Sequence, residues 1–480
     1  MASSTDKNED LHMAIQHPPT AEKIYSALKG RLADIWSALV LIAETAEKNG
    51  WALYLVGGAV RDLLLDFVPT LPKGSQALTD IDLVVEGAAA GAGIALAEAL
   101  QLQYPQVSVQ IHGQFQTAAL VWPTDELAIP SSHIVIDIAT ARTEFYPYPA
   151  ANPEVEASSI EQDLFRRDFT INAMAICLTR GVDGLSAGAL LDCFKGWSDL
   201  QQQTVRVLHS HSFVDDPTRI FRAVRFAVRL GFSIDSQSEQ WIRDALQSGI
   251  YERTLASADK TPALQSRLKA ELKYMLEASG WEASLQEIDR IGAWACLDPL
   301  LKMTPALWQQ LRRLDRWLAK KIGHTIALNQ PRWLILLELL LLQLPPQQAV
   351  RVADNLNLGA RSLRRLENVA SWEASLLAGI AQAKRPSQVY SLLKGYELCE
   401  LLLMGDRHPY TLGPQIWQYI VRLSQVSSPI DGATLKRLGL SPGPQFKKIL
   451  NEVHQLVLDG ELTTPQAAEN YVLTHYAPAH

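Results

Sequence analysis

Two pairs of residues in this chain have the types and spacing that chemistry on a nucleotide would need. In Asp215-Asp216-Pro217-Thr218-Arg219 a carboxylate stands three residues before a guanidinium at the start of a predicted helix. An Asp accepts a hydrogen bond from an exocyclic amine while an Arg donates to the adjacent ring nitrogen, the edge that cytosine and adenine share and that guanine and uracil reverse. Asp80 and Asp82, two apart in TDIDLVV, point to one face of a predicted strand. Carboxylates held that way can share Mg²⁺, which favours oxygen ligands from one or two acids plus substrate phosphates and suits in-line displacement at phosphorus. Each pair also has a plainer reading. Asp216, directly before Pro217, fits a helix N-cap with proline at the first helical position, and an Asp-x-Asp at a strand start is often a solvated turn.

Three further groups could act on the same ligand. Gly57 and Gly58 follow a predicted strand and open a predicted helix, where bare backbone N–H groups can approach a phosphate and Arg61 can clamp it; the alternative is a tight turn with Arg61 in solvent. Arg166-Arg167-Asp168-Phe169-Thr170-Ile171-Asn172 packs five polar residues just before the apolar stretch Ala173 to Leu178, a density of polar groups that needs either a ligand or an internal ion pair. Arg219, Arg222, Arg225 and Arg229 form a basic helical stripe that ends at Gly231, and with few acids nearby it calls for an anionic partner.

The elements that position these groups follow from periodicity. Ala21 to Asn49 reads as a helix capped by Gly50. Strand signals run over Ala52 to Val56, Ile81 to Val85, Ser108 to Ile111, Ala118 to Val121 and Ile134 to Ile138, with helices over Val60 to Leu65 and Ala88 to Gln101. Residues 50–180 thus read as a compact α/β unit, and beyond Asp216 the pattern is helical to the end. At 480 residues with 48% hydrophobic content, the chain is long enough for two to four packed units. Residues 1–20 are polar, without the apolar core of a signal peptide or the Arg-rich make-up of a transit peptide, and read as a disordered leader. The apolar run Leu334 to Leu342 is too short to span a bilayer and contains Glu338, so it reads as a buried helix. The four cysteines are scattered without a CxxC pair, which suggests neither zinc nor a disulfide framework and fits a reducing, cytoplasmic setting. The net charge of −7 is unevenly spread: residues 1–300 hold 24 Lys and Arg against 38 Asp and Glu, and residues 301–480 hold 20 against 13. A basic helical half suits a grip on a polyanion.

Taken in order, LVGGAVRD, TDIDLVV, RRDFTINAMA, LLDCFKGWSDL, DDPTRIFRAVRFAVRLGF and RLKAELKYML resemble the class II tRNA nucleotidyltransferase and bacterial poly(A) polymerase family, over residues 52–276. The resemblance implies an α+β fold: a nucleotidyltransferase head with a small mixed β-sheet and helices over residues 21–207, a helical neck for base recognition over 208–280, a helical body over 281–385 and a helical tail over 386–480 that grips tRNA. It implies addition of C and/or A residues to the tRNA 3′ end from CTP and ATP, with release of pyrophosphate by a two-metal mechanism. Asp80 and Asp82 would hold two Mg²⁺ ions as the catalytic and metal-binding pair. Gly57, Gly58, Arg61 and Arg167 would contact the nucleotide, with Asp168 near the ribose. Asp216 and Arg219 would be the protein template for C and A, supported by Arg222 and Arg225, and Glu271 to Leu276 would brace the neck. Asp137 is either a third carboxylate near the metals or a structural residue. Candidate tRNA contacts include Arg312, Arg313, Arg316, Arg364, Arg365, Lys436, Arg437, Lys447 and Lys448. Within the family the alternatives are a CC-adding or A-adding partial enzyme and a poly(A) polymerase, and outside it a non-catalytic tRNA-binding protein.

Three departures from the family pattern stand out. Asp215 takes the place of the usual Glu, Pro69 to Ala77 looks like an inserted loop, and Thr143 to Phe165 has no Lys or Arg but carries Glu144, Glu154, Glu156, Glu161 and Asp163. The last segment should contain the flexible loop implied to govern the switch from C to A addition.

Overall fold

Short apolar strands with β-branched residues build the sheet of this α+β protein, and Leu- and Ala-rich amphipathic segments build the rest. In a computed structural model, residues 17–71, 78, 80–87, 91–113, 116–122, 134–145, 154–181, 184–249, 251, 262–319, 328 and 330–476 are described. Most of the leader, residues 72–77 of the inserted loop and residues 146–153 of the acid-rich segment lie outside the described residues. The chain divides into two compact units, residues 1–275 with 279–296, and residues 276–278 with 297–480.

The first unit begins with α1 (Ala21–Arg31) and α2 (Trp36–Lys48), then β1 (Ala52–Val56), α3 (Gly58–Leu64), β2 (Ile81–Glu86), α4 (Ala92–Gln103), β3 (Ser108–His112), β4 (Thr117–Trp122) and β5 (Ile134–Thr140). The hairpin β6 (Arg142–Phe145) and β7 (Glu154–Ala157) leads to α5 (Ile160–Phe165), β8 (Ala175–Gly181), β9 (Gly184–Leu191), α6 (Gly196–Gln201), α7 (Ser212–Asp215), α8 (Thr218–Leu230), α9 (Ser236–Gln247), α10 (Pro262–Glu277) and α11 (Trp281–Ile291). Seven strands form one mixed sheet in the order β3-β4-β5-β2-β1-β8-β9. Within this sheet β2 and β5 pair in parallel, with Asp82 opposite Asp137, while β1 pairs antiparallel with both β2 and β8.

Two expectations are corrected here. Ala21 to Asn49 is not one helix: a 3-10 turn at Ala33–Ile35 divides it. Burial of Ile24, Leu28, Leu32, Ile35, Leu39 and Ile42 continues through the break, because a three-to-four residue spacing satisfies both 3-10 and α geometry. The helix does end at Gly50, whose φ of +70° lets the Gly50 and Trp51 N–H groups reach the carbonyls of Glu47 and Ala46. Strands β8 and β9 are the other difference. The Gly- and Ala-rich sequence of β9 has little β propensity and is held by pairing with β8.

Helix α8 buries Ile220, Phe221, Val224 and Ala227 and is stopped by Gly231 at φ +70°, with the Phe232 N–H returning to the Ala227 carbonyl at 2.8 Å. Helix α5 is anchored by Ile160 and Leu164, which share a core with Val56, Val84, Ala173 and Ala175.

Every regular element among the described residues of the second unit is a helix. Its helix Arg332–Leu341 is buried from Trp333 onward, as its apolar run predicts. Buried Glu338 takes the Arg365 Nε at 2.8 Å and Nη2 at 2.6 Å, which makes the interior charge tolerable. Arg365 is therefore a core residue rather than an RNA contact, and Arg313 is likewise spent on Asp406 at 2.6 Å. Arg312, Arg316, Arg364, Lys436, Arg437, Lys447 and Lys448 remain exposed. No described helix is long and apolar enough to cross a membrane.

Candidate active site

A cavity of about 1060 Å³ opens in the first unit beside the β1–α3 turn. Gly57, Gly58, Arg61, Asp80, Asp82, Arg167, Asp168, Asp216, Arg219, Arg222 and Arg225 all line it, although they span more than 160 positions of sequence. Nine arginines face seven carboxylates in the wall, an excess of positive charge suited to a phosphate-bearing ligand.

The turn is dictated by space as well as conformation. Gly57 has φ +71°, and a Cβ there would lie 2.9 Å from Arg167 Nη1 and 3.5 Å from Asp82 Oδ2. A Cβ on Gly58 would meet only Arg61 Nη2 at an ordinary 3.6 Å. Arg61 itself is not solvated. It donates from Nη1 to Asn172 Oδ1 and from Nε to Asp62 Oδ1, each at 2.7 Å, so its charge is held inside the wall.

Asp80 precedes the first residue of β2 and is exposed, while Asp82 lies within the strand and is half-buried. Burial raises the Asp82 carboxyl above the ordinary range, the Arg167 charge opposes that, and Asp137 and Asp80 add to it. Asp137 is raised by burial as well, opposed by His112 and reinforced by Asp80. Mutually repelling carboxylates paired across two parallel strands fit a divalent cation in charge and ligand type. Among the described residues no three His, Cys, Asp or Glu side chains form a metal cage, so a cation here would complete its shell with phosphate and water, as Mg²⁺ commonly does.

Asp168 is nearly buried and fully engaged. Its Oδ1 accepts from the Phe169 N–H at 2.8 Å and Asn172 Nδ2 at 3.0 Å, and its Oδ2 accepts from Arg222 Nε at 2.8 Å and Nη2 at 2.5 Å. Burial would raise its pKa, but Arg222 and the Asn172 hydrogen bond hold it down at about 2.

Asp216 serves as the cap of α8. Oδ1 caps α8 by accepting from the Thr218 N–H at 3.0 Å and Oγ1 at 2.6 Å, while Oδ2 lies 3.7 Å from Arg267 Nε. Arg219 donates from Nη1 to Ser212 Oγ at 2.9 Å and from Nη2 to the Arg166 carbonyl at 2.8 Å. The rest of the arginine stripe corrects an expectation. Arg222 and Arg225 pair with Glu271 on α10, Arg222 with Asp168, and Arg229 with Asp62 at 3.6 Å. The acids that neutralise the helix come from three other elements, so none is near it in sequence. The acid-rich segment is answered the same way: Glu144 and Asp163 both pair with Arg166.

Several lining residues escaped the sequence reading. Phe226 packs beneath three guanidiniums, with Arg225, Arg61 and Arg222 at 4.5, 5.0 and 5.6 Å from the ring centre. Its place among the arginines of α8 was the available signal. Arg267, beside Asp216, has Nε and Nη2 buried without a hydrogen bond. His112 also lines the cavity and had no distinguishing spacing.

A family model for the poly(A) polymerase head domain matches residues 53–206. The A-adding tRNA nucleotidyltransferase of Geobacter sulfurreducens is 31% identical, over 86% of this chain and 44% of its own length. The A-adding tRNA nucleotidyltransferase of Halalkalibacterium halodurans is 29% identical, over 86% of this chain and 87% of its own length. This chain thus spans less than half the length of the first relative and most of the second. The Thermotoga maritima CCA-adding enzyme complexed with tRNA superposes with a TM-score of 0.69 at 28% identity, covering 95% of this chain and 98% of that one. A CCA-adding enzyme in complex with ATP gives 0.69 and 28%, covering 94% and 96%. With the six ordered motifs converging on one cavity, these likenesses support the class II tRNA nucleotidyltransferase and bacterial poly(A) polymerase family for this chain.

Proposed function

We propose that the chain is a template-independent nucleotidyltransferase that adds C, A or both to the 3′ end of tRNA from CTP and ATP, releasing pyrophosphate. One observation carries the reading: a single cavity joins the carboxylates of β2 to an Asp–Arg pair at the start of α8 through a wall rich in arginine. The similar structures hold tRNA in one case and ATP in another, which supports the same ligands here.

In this reading the primer's 3′-hydroxyl attacks the α-phosphate of the nucleotide. Asp80 and Asp82 would hold two Mg²⁺ ions, with Asp137 in register beside them; Mg²⁺ bound there lowers the hydroxyl's pKa and neutralises the leaving pyrophosphate. Arg167 binds the triphosphate from the side of Gly57. Asp216 accepts from the exocyclic amine of C or A through Oδ2, and Arg219 donates to the ring nitrogen after exchanging one of its two present acceptors. Asp168, by fixing Arg222, keeps α8 aligned, and Arg222 and Arg225 support the nucleotide through Glu271. The exposed Lys and Arg residues of the second unit grip the acceptor arm through phosphates. The four cysteines are all unpaired, which fits work in a reducing cytoplasm.

Addition of A alone is the second reading, favoured by the names of the Geobacter and Halalkalibacterium relatives. Purified protein is offered tRNA ending at the discriminator base, at C and at CC, with CTP and ATP separately and together. Incorporation of both nucleotides in order identifies a complete CCA enzyme, ATP on CC ends alone identifies the A-adding enzyme, and no incorporation on any end would refute the enzymatic reading.

A further inference from the structure

Asp163 in α5 has no exposed surface, and its carboxyl is held below the ordinary range despite that burial by Arg167 and Arg166. Its Oδ1 accepts from Arg166 Nε at 3.0 Å and Nη2 at 2.7 Å, and from the Arg142 backbone N–H at 3.3 Å. Its Oδ2 accepts from Arg167 Nη2 at 3.0 Å. An interior ion cluster of this kind gains little net stability over apolar packing, so its value lies in where it places its members.

Those members reach two sides of the cavity. Arg167 extends its other amino group, Nη1, into the space that a Gly57 side chain would occupy, next to Asp82. Arg166 turns its backbone carbonyl to Arg219 Nη2 at 2.8 Å. Ile160 and Leu164, flanking Asp163 on α5, fix this carboxylate to the core beneath β1 and β8. One acid therefore orients the guanidinium beside Asp82 and steadies the backbone carbonyl that accepts from Arg219.

We propose that Asp163 is a positioning residue for the nucleotide: it aims Arg167 at the triphosphate and, through Arg166, keeps Arg219 in place for the base. The assignment rests on the reading of Arg167 and Arg219 as nucleotide contacts. It gives the acid-rich segment a role inside the site, since Asp163 and Glu144 together neutralise Arg166.

A double-mutant cycle tests it. Asp163→Asn keeps the shape and removes the charge; Arg167→Ala removes the group it orients. Nucleotide KM and kcat are measured at saturating tRNA for the two single variants, the double variant and the native protein, with KM for tRNA and incorporation of UTP and GTP as companion readouts. Asp163→Asn is expected to raise nucleotide KM by about ten- to hundredfold, the worth of a charge-assisted hydrogen bond. It should leave KM for tRNA unchanged, weaken discrimination against UTP and GTP, and add little further KM loss in the Arg167→Ala background. Additive losses, or a native nucleotide KM in Asp163→Asn while Arg167→Ala raises it, would overturn the positioning role alone. A native KM in Arg167→Ala would instead overturn the nucleotide-binding role of Arg167 and the proposal with it. If Asp163→Asn does not fold, Arg167→Lys retains the charge but not the planar group that Asp163 aims. It is expected to raise nucleotide KM, and a native value there would overturn the proposal.

Discussion

Asp82 carries its proton to a higher pH than an ordinary aspartate because burial and its neighbours Asp137 and Asp80 disfavour the charged form, against the pull of Arg167. A protonated Asp82 cannot serve a cation, so Mg²⁺ affinity is expected to fall on the acid side. Removing the Arg167 charge should move that fall to higher pH, which Mg²⁺ titrations of Arg167→Ala and native protein across pH would reveal. Replacing both Asp80 and Asp82 by Ala should abolish incorporation while tRNA binding persists; retained activity would rule out their metal role. Asp168 works in the opposite sense. Its folded pKa of about 2 is depressed, so its stabilisation is present above the unfolded value near 3.8 and is lost as pH falls through about 2. Asp168→Asn is expected to cost about 2 kcal/mol near neutral pH and almost nothing near pH 2, as read from denaturant unfolding. Residue types and local spacing made most of this site legible. Its internal pairing was not, because Arg222 reaches Asp168 and Glu271 across 54 and 49 positions and no local pattern records such a contact.

Strands and turns show the same division between local and distant causes. The runs at Ala52–Val56 and Ile81–Glu86 announce themselves by β-branched and apolar composition, whereas β9 forms through its neighbour β8 and the hairpin β6–β7 hides in a segment full of glutamate. The β1–α3 turn gives a sharp contrast between adjacent glycines. Gly57→Ala must displace the Arg167 amino group and adopt a strained φ, at about 1–2 kcal/mol, and nucleotide KM should rise with it. Gly58→Ala meets only ordinary contact within the protein and should retain near-native stability. In the second unit, the helix Leu398–Arg407 buries Asp406, whose carboxyl is raised to about 6 by burial against the pull of Arg313. A raised acid contributes stability that is full below its unfolded value near 3.8 and lost as pH rises through about 6. Relative to Asp406→Asn, the native protein should therefore lose up to about 3 kcal/mol between pH 4 and pH 7 in urea titrations.

At the scale of the molecule, composition separates an acidic region that contains the cavity from a basic, helical remainder: residues 301–480 carry 20 Lys and Arg against 13 Asp and Glu. That asymmetry was legible at once, but which cations are available was not. Arg365 and Arg313 hold buried acids, while Lys447 and Lys448 stand exposed on the helix Pro444–Leu458. tRNA affinity is expected to weaken as salt rises, and Lys447→Ala with Lys448→Ala should reduce the slope of log Kd against log salt by about 1 to 2. An unchanged slope would remove those lysines from the interface.

The parallel pairing of β2 with β5 makes the sheet a ruler. Asp82 and Asp137 are held at adjacent-strand spacing by backbone hydrogen bonds, so the gap between their Cα atoms is set by the main chain. Gaining or losing one residue inside either strand would turn one of the two acids to the opposite face of the sheet. Descendants of this chain can lengthen or shorten their connections freely, but the strands that carry the two acids must keep their phase.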